Sequence, residues 1–199
     1  MFILYSLLVG VPLGFLLGGR ASGLSALHIR WPWAMTVGLI VQLAIFSTPL
    51  NDRVGDWGPL VYVVSTFVVV AAIAVNWRIT GMPIIALGAM SNLVAIVANG
   101  GYMPADLGAM ASLGRTVIDG YSNSALLTSP ALKPLTDIFA LPRWVPFANV
   151  FSIGDVIIGV GVAVVIVAAM RSARRPADRA TLKADGADDP APVPDAGPA

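Results

Sequence analysis

Apolar runs interrupted by short polar breaks dominate this chain, and they cover residues 2–19, 33–50, 59–76, 83–99 and 153–170. A hydrocarbon core about 30 Å thick is crossed by roughly 20 residues of helix, and in lipid a helix satisfies its own backbone groups. The pattern predicts an all-α membrane protein, a five-transmembrane-helix bundle forming one domain over residues 1–170. Residues 171–199 are rich in Ala, Pro and Asp and are expected to be a disordered cytoplasmic tail. The first run has no Lys or Arg before Arg20 and no clear A-x-A site, so a retained helix is expected rather than a signal peptide.

The breaks carry their own periodicity. Residues 21–30 are too short and polar to cross. With Leu24, Leu27 and Ile29 beside His28 and Arg30, they are expected to lie along the inner interface. After Pro104, the spacing of Leu107, Met110, Leu113 and Val117 predicts an amphipathic helix over 105–117, an outer helical loop between helices 4 and 5. A second short helix is expected over 132–141, among Pro130, Pro134 and Pro142. No internal repeat is evident, which removes the usual pointer to an inverted-repeat transporter.

Composition agrees with the pattern. Hydrophobic residues make up 57% and charged residues 12%, far from the soluble balance of roughly half and a quarter. Cysteine is absent, which excludes disulfides and thiolate sites, and every acid is Asp. A net charge of +1 gives no reason to expect nucleic acid as a partner.

The placement of charge sets an orientation. Arg171, Arg174 and Arg175 follow the last run and predict a cytoplasmic C-terminus, which puts the N-terminus outside. Arg20, Arg30 and Arg78 then fall in inside connections. Residues 51–58, where Arg53 stands against Asp52 and Asp56, fall outside, as does the long connection with Arg115, Lys133 and Arg143. Trp57 and Trp77 bracket the third run as interfacial anchors.

Among the polar positions inside the runs, Gly10, Gly14 and Gly18 form a double G-x-x-x-G, the mark of close helix packing. Gln42 and Asn92 sit near mid-helix and are expected to act as packing residues, bonding to each other if their helices are neighbours. Asp155 has two readings. Ser152-Ile-Gly-Asp155 has capping-box spacing, yet a carboxylate in a membrane segment also marks binding or ion sites. The run Asn99-Gly100-Gly101-Tyr102 reads as a C-cap turn. Placed beside Asp155 it would form a polar binding pocket at the outer leaflet, with Asn99, Gly100, Gly101, Tyr102 and Asp155 as its residues.

LLGGRASGLSALHIR (16–30), SNLVAIVANGGYMPAD (91–106), DIFALPR (137–143) and SIGDVIIGVG (152–161) together resemble a family of small, uncharacterised bacterial polytopic membrane proteins classed as a domain of unknown function. The resemblance covers about residues 1–170. It implies a multi-pass protein of the bacterial inner membrane and brings no activity or catalytic residues.

These features favour a non-enzymatic accessory or scaffold protein, expected to contact membrane lipid and either a membrane-protein partner or a second copy. The alternative is a small-molecule or lipid binder or transporter using the outer pocket. An enzyme ranks third. His28 is the single histidine, and no G-x-S-x-G, H-E-x-x-H or P-loop pattern is present. No catalytic residue, cofactor or metal site is expected.

Overall fold

A computed structural model describes residues 2–45, 55–114, 124–125 and 129–172. The chain is mostly helical: α1 (Phe2–Leu16), α2 (Ser22–Ser25), α3 (Pro32–Ile45), α4 (Gly58–Val75), α5 (Met82–Ala98), α6 (Leu107–Ser112) and α7 (Ile153–Ser172). Gly55–Val75 and Ile153–Ser172 are long and apolar enough to cross a membrane, and α1, α3 and α5 are shorter apolar helices. Residues 46–50 of the second apolar run, Val117, Arg115, and the tail from residue 173 lie outside the described residues.

Prolines in the first turns of α4 and α5 set their starts, because a missing N–H costs nothing there. Paired glycines set two of the ends. Gly18 (φ +77°) donates to Phe15 O and Gly19 to Gly14 O, closing α1 in a Schellman turn. Gly100 (φ +70°) and Gly101 close α5 in the same way, through Val97 O and Ile96 O. Gly18 therefore lies beyond the helix, with nothing near the place of a Cβ, and is not the third member of a packing groove.

The apolar helices pack as a row in which α3 lies on α4, α4 on α5, α5 on α7 and α7 on α1. Small residues set the close approaches. A Cβ on Gly10 would lie 3.1 Å from Ala163 Cα, and one on Gly14 would lie 2.4 Å from Met170 Sδ, so α1 runs parallel to α7. Across α5 and α7 the order reverses. Gly81 faces Gly161 and Val165, while Gly88 faces Gly154 and Ile158, so these helices are antiparallel. Gly81 and Gly88, like Gly154 and Gly161, are one heptad apart, the spacing that keeps small residues on one face through a left-handed crossing. Val70, Ile73, Met82, Ile85, Ala89, Leu93 and Val165 fill the space among α4, α5 and α7.

The connections are bound to the helix ends. Residues 17–31 wrap the end of α7: Arg20 N donates to Met170 O at 2.8 Å, and Gly23 in α2 sits against Ala169 O. Asn76, buried at the end of α4, exchanges a pair of 2.7 Å hydrogen bonds with the backbone of Arg30.

At the opposite end, the connection between α5 and α7 departs from an all-helical reading. Strand β1 (Met103–Pro104) pairs in parallel with β2 (Ser124–Ala125), and β3 (Phe139–Ala140) pairs antiparallel with β4 (Val150–Phe151). Helix α6 occupies part of the expected 105–117 helix. Asp106 caps its start by accepting from Gly108 N and Ala109 N, and Arg143 donates to the Ala111 and Ser112 carbonyls at its end. Met110 and Leu113 pack on Ala105, Ala109 and Val150, while Leu107 is exposed. The helix expected over 132–141 is replaced by a 3-10 turn, Lys133–Leu135, and then by β3. Extended backbone there lets Asp137 N donate to Pro104 O and Asp106 N donate to Asp137 O, bonds that a helix would forfeit.

Candidate functional site

The first turn of α7 meets α5 at a closed set of polar bonds. Asp155 N donates to Ser152 Oγ and Ser152 N to Asp155 Oδ2, each at 3.1 Å, which is the reciprocal pattern of a capping box. Asn92 from α5 completes the set. Its Nδ2 donates to Asp155 Oδ1 at 2.9 Å, and its Oδ1 accepts from Ser152 Oγ at 2.9 Å. Ser152 is fully buried, while Asn92 and Asp155 are half-buried.

Glycine makes this approach achievable. A Cβ on Gly154 would fall 1.9 Å from Asn92 Oδ1. Gly88, one turn before Asn92, lets the Gly154 carbonyl approach to where its own Cβ would lie, at 2.5 Å. Ser152, Gly154 and Asp155 thus act together as a seat for one α5 amide.

Asp137 is the residue sequence reasoning missed. It is 7% exposed, buried in the connection between α5 and α7. Burial, with the nearby Asp155 charge adding to it, pushes its carboxyl up to about 8. The only prior sign was an acid opening the apolar stretch Ile138-Phe139-Ala140-Leu141. Its neighbour Asp106 behaves oppositely. The Ala109 N–H, with Gly108 N–H and the Lys133 ammonium 3.4 Å away, holds it below the ordinary carboxylate value.

The residues expected to share a pocket separate into two groups. Asn99 Nδ2 donates to Ala131 O and Asn99 Oδ1 accepts from Ala131 N, at 2.9 and 2.8 Å, so this amide binds connection backbone. Gly101 (φ +90°) is pressed on Pro59, where a Cβ would lie 2.4 Å from the ring. Gly100 is exposed at the turn, and Tyr102 packs on the cluster of Ile45, Tyr62, Ala95, Ile96 and Met103. Asp155 is bonded instead at the level of Asn92, about 10 Å along α5 from Asn99 at 1.5 Å per residue.

The expected Gln42–Asn92 bond is also absent. Gln42 Nε2 donates to Thr66 Oγ1 at 3.1 Å across α3 and α4, because α5 packs on the other side of α4. His28 is exposed in the connection at the opposite end. Among the described residues, no group of three or more His, Cys, Asp or Glu side chains comes together. Chemically, the site offers the Asp155 side chain, bonded to Asn92 and Ser152, beside the buried Asp137 carboxyl, which is pushed up to about 8.

One protein family, described as a family of unknown function (DUF5317), matches residues 26–167, from the connection before α3 through most of α7. No curated protein and no solved structure matches the chain.

Proposed function

The chain belongs to this family of unknown function, which names no activity, and we propose that it is a five-span protein of the bacterial inner membrane acting as a non-enzymatic accessory or scaffold. One observation carries the reading. Gln42, Ser65, Asn92 and Asp155 within the helices bond to groups of the same chain, whereas every apolar helix presents large hydrocarbon side chains outward. Leu8, Leu43, Phe67, Leu87 and Val160, on α1, α3, α4, α5 and α7, are between 52% and 70% exposed. An apolar exterior around an interior whose amides are bonded within the chain suits lipid and neighbouring helices.

The packing order supports five crossings. α5 and α7 run antiparallel, while α1 and α7 run parallel, as the first and last of an odd number of crossings would. Residues 1–170 then form the membrane domain, and residues 171–199 a cytoplasmic tail. Arg20 and Arg171 share one end of the bundle, with Arg30 and Arg78 beside Asn76 in the same connections. That end is the cytoplasmic one by the positive-inside rule, which leaves the N-terminus and the 99–152 connection outside. Trp57 and Trp77, both largely exposed at opposite ends of α4, suit interfacial anchors.

A second reading, a small-molecule binder at the outer face, draws on the buried Asp137 beside Asp155. Native mass spectrometry of protein released gently from its membrane, as wild type and Asp155→Asn, separates the two. The scaffold reading expects a protein partner or second copy retained by both forms. A small molecule held by wild type and lost from a folded Asp155→Asn variant would contradict it in favour of binding.

A further inference from the structure

Along the α1–α7 contact lies a groove of about 740 Å³, walled by Leu13, Val160, Val164 and Ala168 among others and ending at Arg171 and Ser172. We propose that this groove holds one acyl chain of an anionic phospholipid whose phosphate sits at Arg171, a site that rests on the membrane reading above.

Dimensions support the assignment. From Val160 to Arg171 the helix rises about 16 Å at 1.5 Å per residue, close to one leaflet of a core about 30 Å thick. With Arg171 at the cytoplasmic surface, the groove reaches the midplane and no further. Its walls carry no charge until that mouth.

The mouth has the chemistry of a phosphate contact. Arg171 and Ser172 are both exposed, and Arg20, also exposed, joins them through its backbone bond to Met170 O. Among the described residues the one ion pair is Lys133–Asp106, so no described carboxylate neutralises Arg20 or Arg171. Guanidinium groups bind phosphate oxygens in a bidentate fashion, and Arg174 and Arg175 follow in the sequence. An apolar helix from a partner would fill the groove but leave this positive end unmatched, whereas an anionic lipid satisfies both.

The test uses the full chain in nanodiscs containing equal phosphatidylglycerol and phosphatidylcholine with identical acyl chains, read by native mass spectrometry of retained lipid. Wild type is expected to retain phosphatidylglycerol preferentially. Arg171→Gln should weaken that retention about fivefold, the effect of one charge at the surface, and Arg171→Lys should keep most of it. Val164→Trp, which fills the middle of the groove, should reduce retention of both lipids. Equal retention of the two lipids by wild type, or unchanged phosphatidylglycerol retention in Arg171→Gln, overturns the proposal. So does a dimer that disappears in Val164→Trp, which would assign the groove to a second copy. Carbonate extraction of native membranes keeps the premises separate: extraction of the protein defeats the membrane reading, while a membrane-retained protein without lipid preference defeats only the lipid site.

Discussion

Replacing Gly154 with Ala should disrupt the contact between α5 and α7 through a single methyl group. The new Cβ would lie 1.9 Å from Asn92 Oδ1 and 2.9 Å from Gly88 O, where ordinary contacts begin near 3.4 Å, so the amide must retreat by about 1.5 Å. Its bonds to Asp155 Oδ1 and from Ser152 Oγ, both 2.9 Å, then pass beyond hydrogen-bonding range. Each such bond contributes about 0.6 to 1.7 kcal/mol in helix bundles, and overpacking adds about 1–3 kcal/mol. The higher helix propensity of Ala returns about 1 kcal/mol, so a net loss of about 3 kcal/mol is expected. Unfolding in mixed detergent micelles, followed by circular dichroism, measures it. Asn92→Ala supplies the control, since it removes the same bonds and vacates the space the methyl group needs. The double variant should therefore be about 2 kcal/mol more stable than additivity requires, with the Gly88 O contact limiting the rescue. Costs that add within about 0.5 kcal/mol would refute the claim that Gly154 exists to admit Asn92.

Asp137 should make stability depend on pH. Its folded value of about 8 lies above the ordinary 3.8, so the folded state holds the proton more tightly. Stability should therefore fall as pH rises from about 4 to about 8 and level off above, a slope that Asp137→Asn removes; parallel pH profiles for the two proteins would contradict this. The asparagine clasps should act independently. Asn76→Ala should speed amide exchange at Arg30 about fivefold or more, from about 1 kcal/mol per lost bond, and leave Ala131 unchanged, while Asn99→Ala should do the reverse.

Much of the helical layout was legible because run length and proline placement are local signals. The expected runs 59–76, 83–99 and 153–170 correspond closely to α4 (Gly58–Val75), α5 (Met82–Ala98) and α7 (Ile153–Ser172). Gly10 and Gly14 lie at a helix contact, but Gly18 ends α1, because G-x-x-x-G spacing does not distinguish a groove from a Schellman turn. Partner choice was less legible. Gln42 and Asn92 have similar depth, yet which helices are neighbours depends on the order of the row, and α4 separates theirs. The strands of the 99–152 connection are two residues each, below any periodicity, and pair across long separations. Asp137 was hidden for the same reason: its burial comes from a backbone bridge to Ala105 that no local pattern announces. The Ser152-Ile-Gly-Asp155 spacing did announce a cap, but not that Gly154 opens space for an amide from another helix.

The central claim is five crossings with the N-terminus outside and the C-terminus in the cytoplasm. Because the chain has no cysteine, single cysteines can be placed without background and probed in intact cells with a membrane-impermeant maleimide. Cysteines replacing Gly55 and Ala131 should label from outside, while those replacing His28, Trp77 and Ser172 should label only after the membrane is opened. External labelling at Trp77 or Ser172, or labelling of Gly55 and His28 from the same side, would contradict the account.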